Sequence, residues 1–257
     1  MSKDPVPASL SQFIDRVGAS EWAVQIVNRT APDAIEEMLE DLFDGLTIDM
    51  TEEQLQDTDD DMVLLLNEGE PVASSPLSIV RDTLLLVNSD LYKTGTADIE
   101  NIDPPDIILE LADTVFSVRG FPESNIEKLV LTLISRYIEH QAWSRETGTL
   151  RSSFQRLSRL DDEQGTRRVY ERLGQLPGLD VHAYGLPDWD PPEEMGLNIH
   201  EVTDDEIMQH WFVVYQTSTG QNAAMLAVKS GLHEWDGYWT FDQSQIRSMN
   251  EYITQTF

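Results

Sequence analysis

The sequence predicts an α+β fold in which a mixed or antiparallel sheet is flanked by helices, with two packed α+β halves as one form of that arrangement. The chain has 257 residues, 40% of them hydrophobic, which is enough to bury a sizeable core. Short strand-like runs and longer amphipathic helical patterns share its whole length. Because several strand-like runs follow one another without a helix between them, the α+β class is favoured over regular α/β alternation.

Residues 1–95 are predicted to form an N-terminal α+β region. The turn-forming segment 67–70 (NEGE) separates two strand-like runs and predicts a hairpin. The helix that follows is apolar on both faces, since it carries Ile79, Leu85 and Leu86 opposite its main stripe, and this indicates burial on two sides or a homodimer contact. In chain order the predicted elements are helix 10–17, strand 22–28, helix 30–43, strand 46–50, hairpin strands 62–66 and 71–73, and helix 75–92.

A stretch rich in Gly, Asp and Pro, residues 94–105, is the predicted linker to a second domain, residues 96–257. Both halves then run strand, helix, strand, hairpin, helix, which suggests a duplicated domain although few residues are identical between them. The predicted elements of the second half are helix 107–112, strand 113–120, the longest helix at 122–145, an extended segment at 150–157, helix 161–173, strands 181–184, 198–202, 211–217, 224–228 and 237–241, and a last helix from 242 or 244.

The net charge of −30 comes from 47 acidic residues against 17 basic ones, of which only four are lysines. At ordinary ionic strength such a charge repels itself, whereas at molar salt the Debye length is about 3 Å and the repulsion is screened. The acids are spread along the chain, which favours a halophilic archaeal protein over an acidic mimic of nucleic acid or a binder of basic partners. Nucleic-acid binding is not expected, because it depends on basic charge.

Several classes of protein are excluded or disfavoured by what the sequence lacks. It has no cysteine, and its apolar runs, such as 63–66, are far below the ~20 residues of a membrane span. Because the N-terminal residues also lack the apolar segment of a secretory signal, we expect a cytoplasmic protein without a membrane span. No P-loop, G-x-S-x-G or H-E-x-x-H motif is present.

Two partial metal motifs do not predict a metal site. His200-Glu201 begins like a zinc-hydrolase motif, but the next histidine, His210, is too distant for one helix face. The spacing of Asp57, Asp59, Asp61 and Glu68 imitates a calcium loop. Its sixth position, which needs glycine for the sharp turn, is Met62, so a solvated acidic loop explains these residues.

One segment reverses the charge balance. Between Arg136 and Arg172 lie eight of the thirteen arginines and six acids, a net charge of +2. Arginine–carboxylate pairs on helix faces would explain this, and so would a site for an anion or an acidic partner, since the guanidinium is a planar fork for phosphates and carboxylates. We expect glutamine at 151 and 156 to weaken such binding at a cost within about 1 kcal/mol of stability. The candidate anion- or partner-binding residues are Arg151, Arg156, Arg159, Arg167 and Arg168.

Aromatic and histidine side chains gather in the strand-rich end of the chain. On the strand at 181–184, Val181 and Ala183 are predicted to face one way and His182 and Tyr184 the other. A largely apolar pocket with a few polar groups is typical of small-molecule sites, although tryptophan and tyrosine are also common core residues. All but Trp189 of the ligand-binding candidates are expected to line a cavity on one face of the sheet, and the six candidates are His182, Tyr184, Trp189, His200, Trp211 and Trp239.

Five strings in this part of the chain resemble the DICT domain. They are TVFSVRGFPE at 114–123, FQRLSRL at 154–160, VHAYGLPD at 181–188, WFVVYQ at 211–216 and YWTFD at 238–242. They occur in the family's order and spacing over residues 105–243. The family is a sensory domain linked to diguanylate cyclases and two-component systems and is frequent in haloarchaea and cyanobacteria, which agrees with the acidity of this chain.

The resemblance implies a stand-alone, non-catalytic, cytoplasmic sensory protein of a halophilic archaeon. It would bind a small molecule or a partner and signal through protein–protein contacts with a separate partner of a signalling pathway. The resemblance assigns no cofactor and no catalytic residue. A protein-interaction regulator without a ligand pocket, for example of cell shape or motility, is the alternative, and an enzyme using His182 or His200 as acid and base is a third.

Overall fold

The computed structural model describes residues 7–18, 21–30, 49–53, 61–89, 99–119, 126–162, 165–231 and 234–257. Within these ranges it contains a four-stranded and a seven-stranded sheet with helices packed against them, so the predicted α+β class is confirmed. The elements before residue 90 are α1 (Ser11–Asp15), β1 (Trp22–Val27), β2 (Asp49–Glu53), β3 (Met62–Asn67), β4 (Glu70–Pro76) and α2 (Leu77–Ser89).

The four-stranded sheet has the order β2-β1-β3-β4, in which β1 and β2 are parallel and the other pairs antiparallel. The predicted hairpin joins β3 to β4 through Glu68 and Gly69, whose φ angles are 51° and 82°. Positive φ at both central residues is the geometry of the two-residue turn that matches strand twist, and glycine adopts it without strain. Residues 31–43 of the predicted helix and the aspartates at 57 and 59 lie outside the described residues.

The second half begins with a 3₁₀ turn, Ile99–Asn101, inside the predicted linker. Its remaining helices and strands follow the predicted order closely, but the helix expected at 161–173 is two helices, and a short helix before β9 was not predicted. The elements are α3 (Asp106–Leu109), β5 (Phe116–Arg119), α4 (Ile126–Arg145), β6 (Gly148–Arg156), α5 (Arg159–Asp162), α6 (Thr166–Gly174), β7 (Leu179–Leu186), β8 (Asn198–Glu201), α7 (Asp205–Gln209), β9 (His210–Gln216), β10 (Ala223–Lys229), β11 (Glu234–Thr240) and α8 (Gln243–Thr256).

The seven-stranded sheet has the order β5-β11-β10-β9-β6-β7-β8. The pairs β6–β7 and β7–β8 are parallel and the others antiparallel. The central strands send alternate side chains to two separate cores: on β9, Val213 and Tyr215 enter one, and Phe212 and Val214 enter the other. The first core also holds buried residues of α4, α6 and the four-stranded sheet. The second holds α1, α7 and α8.

Contacts cross the predicted domain division at residue 95. Trp22 Nε1 donates to Thr114 Oγ1 over 2.8 Å, and the Ile107 amide donates to Ser75 Oγ over 3.4 Å. Glu206 of α7 accepts from the Leu10 amide over 2.8 Å, which ties α1 to the second core. The division into residues 1–95 and 96–257, with or without a duplication, remains a prediction.

Only one of the three side chains on the apolar second face of α2 belongs to the described set. Ile79 is 49% exposed, and the side chains of Leu85 and Leu86 lie outside the described set. A homodimer through this face remains a prediction. In the described part of the chain, none of the helices has both the length and the apolar character needed to cross a lipid bilayer.

Candidate functional site

The parallel strands β7 and β8 place three ring side chains on one face of the seven-stranded sheet. Val181 and Ala183 enter the first core, so the alternation of β7 turns His182 and Tyr184 to the opposite face, as predicted. The strand register sets Tyr184 beside His200 of β8. Neighbouring parallel strands therefore bring together three of the six ligand-binding candidates.

The three rings form a continuous stack, called here the histidine–tyrosine stack (His182, Tyr184 and His200). The ring centroids of Tyr184 and His200 are 4.3 Å apart and their planes differ by 10°. His182 and His200 follow at 5.1 Å and 29°. Tyr184 is buried and contacts Phe212 of the second core, whereas both histidines keep partial exposure. The stack thus connects solvent to the second core.

A chain of hydrogen bonds runs along the edge of the stack. His182 Nε2 lies 2.9 Å from Asp180 Oδ2, and His182 Nδ1 lies 2.8 Å from His200 Nε2. Since an ionised carboxylate only accepts, Nε2 of His182 donates and Nδ1 of the neutral ring accepts from His200 Nε2. Asn198 fixes the other oxygen of Asp180, to which it donates over 2.6 Å. The arrangement leaves Nδ1 of His200 as the ring nitrogen that can take up a proton.

Both histidines are held in the neutral form. Burial lowers the pKa of His182, an effect that Asp180 opposes and Arg151 reinforces. Burial also lowers the pKa of His200, together with the nearby His182 and Arg151. Burial raises the pKa of the Tyr184 hydroxyl, so this group stays protonated. At neutral pH the only full positive charge among these groups is therefore the Arg151 guanidinium.

Arg151 ties the stack to the C-terminal helix. It lies on β6 in register with His182, and its Nη1 donates to the Tyr184 hydroxyl over 2.7 Å. Its Nε donates to Asn250 Oδ1 of α8, also over 2.7 Å. Arg151 is half-buried, so the expectation that it is an exposed charge is wrong, while the small effect on stability expected of its replacement stays a prediction. Its sequence neighbours gave no signal for this, because both partners are distant in the chain.

The tryptophans do not join the stack. Trp211 has the same strand parity as Val213 and Tyr215, so it packs against the first core, on the side opposite Phe212. Trp239 is 1% exposed in that core and meets Phe116 edge-on, and Trp189 also packs there. The expectation that Trp211 and Trp239 share one face of the sheet with His182, Tyr184 and His200 is therefore wrong. Core packing, the alternative to a receptor surface that the sequence left open, explains the tryptophans, because their apolar area is buried in the first core.

Two of the four other arginine candidates are paired with carboxylates. Arg156 lies 3.4 Å from Asp188, whose pKa is lowered chiefly by the backbone N–H of Ser158. Arg167 bridges Asp161 and Glu171. Arg159 and Arg168 are exposed, and neither pairs with a carboxylate within the described ranges. Pairing with carboxylates thus explains part of the basic segment, and Arg151 differs in being half-buried while it bonds only neutral groups.

A buried polar network was not predicted. Glu139 of α4 is 3% exposed and lies 2.7 Å from Arg136. It accepts from the Tyr170 hydroxyl over 2.9 Å, and that hydroxyl also lies 2.6 Å from Ser152 Oγ. Burial and the nearby Glu139 raise the pKa of Tyr170. The i,i+3 spacing of Arg136 and Glu139 could have indicated the pair, but their burial depends on α6 and β6.

The lowered histidine pKa values predict how stability depends on pH. Below the unfolded pKa of about 6.5, unfolded imidazoles bind protons that the folded stack does not, so the free energy of unfolding falls as pH decreases. We expect His182→Gln/His200→Gln to lose stability less steeply than the wild type between pH 7.5 and 5.5. Urea unfolding at constant KCl measures both slopes. Equal slopes for the two proteins would show that the stack does not cause the loss of stability at low pH.

No metal site is formed by the described residues, because none of their groups of three or more His, Asp or Glu side chains is placed to hold an ion. His200 and His210 do not lie on one helix, as a zinc-hydrolase motif requires. His200 lies on β8, whereas His210 begins β9, and its Nδ1 is 2.6 Å from the Glu206 carbonyl oxygen.

Comparisons with known proteins point to one family. No curated protein sequence matches this chain. Among solved structures, the crystal structure of polyphosphate kinase from Porphyromonas gingivalis aligns with 94% of this chain at 8% identity and a TM-score of 0.35, which is too low to support an argument. This chain spans 47% of that kinase.

Residues 106–230 match the model of the DICT family, described as a sensory domain in diguanylate cyclases and two-component systems. The matched segment contains Arg151 and the whole histidine–tyrosine stack, whereas Asn250 follows it. The family that the resemblance indicated is thus the one whose model residues 106–230 match.

Proposed function

We propose that this protein is a non-catalytic signalling protein in which the histidine–tyrosine stack and Arg151 receive a small-molecule signal. A separate protein partner then reads the change through altered contacts. The family supplies the sensory role. The partial exposure of both histidines and their position in the matched segment support the stack as the receiving element.

The observation that carries this proposal is the connection from the stack to α8. Arg151 bonds both Tyr184 in the stack and Asn250 in the helix, each over 2.7 Å. Tyr184 and α8 share the second core with α1 and α7. A ligand that moves Arg151 must therefore break or shift a bond to α8, and this gives a surface helix two arrangements that a partner can distinguish.

An interaction regulator without a ligand remains the second candidate, because the tryptophans fill the first core instead of lining a pocket. In that case the partner would contact the protein directly. Val72 of β4 and Ile79 of α2 are large apolar side chains with 45% and 49% exposure, and they favour a surface of this kind in the N-terminal half.

We also place the protein in the salt-rich cytoplasm of a halophilic archaeon. The net charge of −30 and the scarcity of lysine support this assignment. Most of the acidic residues that the structure describes are exposed, for example Glu70, Asp82 and Glu234.

Native mass spectrometry of the full chain, purified in high salt, tests the proposed function. We expect the wild type to retain a non-covalent small molecule that His200→Gln loses. His140→Gln is the matched control, since His140 lies on α4 and bonds the Ile99 carbonyl instead of the stack. Retention of the molecule by both variants would show that it binds outside the histidine–tyrosine stack. A wild type that carries nothing and responds to no ligand would favour the interaction regulator.

A further inference from the structure

Arg151 is half-buried and yet has no carboxylate partner within the described ranges, whereas Arg159 and Arg168, which also lack one, are exposed. The chain has 47 acidic residues against 17 basic ones, and Arg136, Arg156, Arg167 and Arg172 each bond an acidic side chain. Within the described ranges, Arg151 bonds only the neutral groups of Tyr184 and Asn250. A half-buried positive charge that an acid-rich chain leaves without an acid is suited to an anion from outside.

The guanidinium retains the donors that such an anion needs. It has five N–H groups in a planar fork, and the bonds to Tyr184 and Asn250 use one from Nη1 and the one from Nε. The remaining three belong to the outer nitrogens, which bind carboxylates and phosphates in the bidentate mode. The two contacts orient the fork in advance, which reduces the entropy lost when an anion binds.

The neighbouring carboxylate does not occupy this position. Asp180 is 58% exposed and lies at the far end of the hydrogen-bond chain, where His182 and Asn198 bond its two oxygens. His182 stands next to Arg151 in the strand register, and His200 has the ring nitrogen that can be protonated. An anion beside Arg151 would therefore meet imidazoles whose positive form it stabilises.

We propose that Arg151, His182 and His200 form a binding site for a small anion with a carboxylate or phosphate group, and that this anion is the signal. The inference rests on the proposed function, because it names the ligand class of the same stack. The guanidinium supplies the positive charge and the bidentate N–H donors, and the two partly exposed imidazoles form the polar surface beside it. An anion that draws the guanidinium toward itself shifts the contact between Arg151 and Asn250, so its binding is passed on to α8.

Calorimetric titration of the full chain at fixed ionic strength in KCl tests the site, with inorganic phosphate and succinate as the two probes. We expect one-to-one binding of at least one probe, and which one binds identifies phosphate or carboxylate chemistry. Arg151→Gln should weaken binding at least tenfold. Arg168→Gln makes the same charge change at an exposed position of α6 and should bind like the wild type. His200→Gln should also weaken binding while leaving Arg151 in place.

Melting curves show whether each variant is folded at the titration temperature. If Arg151→Gln is unfolded there, the comparison is made with His200→Gln instead. Failure of both probes to bind the wild type, or equal binding by Arg151→Gln, overturns the anion site. If the stack instead retains a neutral molecule in native mass spectrometry, the ligand class is wrong and the sensory function stands. If the anion binds as expected but leaves α8 and partner contacts unchanged, the site stands and the proposed function fails.

Discussion

In dilute buffer the protein is expected to unfold at a much lower temperature than in molar KCl. The physical reason is the net charge of −30, whose self-repulsion is screened over about 3 Å at 1 M salt and over about 30 Å at 0.01 M. If screening contributes about 4 kcal/mol, the midpoint should rise by roughly 10 °C or more for a chain of this size. Thermal melts monitored by circular dichroism across a KCl series measure the effect.

Sucrose at equal osmolality is the control, because it stabilises compact states without screening charge. A rise in KCl that sucrose does not reproduce would tie the stability to the acidic surface. A midpoint that stays flat across the salt series would contradict halophilic adaptation and restore the alternative of an acidic protein that mimics nucleic acid or binds basic partners.

The second large effect is expected at the buried ion pair of Arg136 and Glu139. Their side chains are 13% and 4% exposed, and Tyr170 also donates to Glu139. Arg136→Met keeps most of the volume but leaves the Glu139 carboxylate buried without its counter-charge. We expect a loss of about 3–5 kcal/mol in the free energy of unfolding, measured by urea denaturation in high salt.

Arg167→Met provides the comparison, since Arg167 pairs with Asp161 and Glu171 at side-chain exposures above 40%. Exposed pairs contribute about 0–1 kcal/mol, so this variant should remain close to the wild type. The double variant Arg136→Met/Glu139→Leu should recover much of the loss, because it removes the unpaired charge as well. Equal losses for the two single variants would show that burial of the pair does not matter.

Local patterns were sufficient to predict most elements of the fold. The alternation of β7 indicated the faces of His182 and Tyr184, and the turn at Glu68 and Gly69 indicated the hairpin. Both signals are local, because side-chain parity and turn geometry depend on adjacent residues. The short helix α7 was missed, since its five residues are too few to show a helical period. Its N-cap, Asp204, was the available signal.

The site was harder to predict than the fold because its contacts are long-range. Arg151 meets Asn250 across 99 positions and Tyr184 across 33. Strand order, which places β6 next to β7 and β8 at the sheet edge, creates these contacts, and composition does not reveal it. For Trp211 and Trp239 the residue type suggested a binding surface, but their positions in the alternation of β9 and β11 assign them to the first core.

The attachment of α1 sets an order of events during synthesis. Leu10 and Phe13 are buried among residues of α7 and α8, and the Leu10 amide bonds Glu206, 196 positions later. Tyr252 bonds Glu206 as well and lies edge-on to Phe13. On the ribosome, α1 emerges long before these residues exist, so its apolar side chains stay exposed until α8 has been translated. The second core can therefore close only late, and until then the apolar side chains of α1 are accessible to chaperones and to other exposed apolar segments.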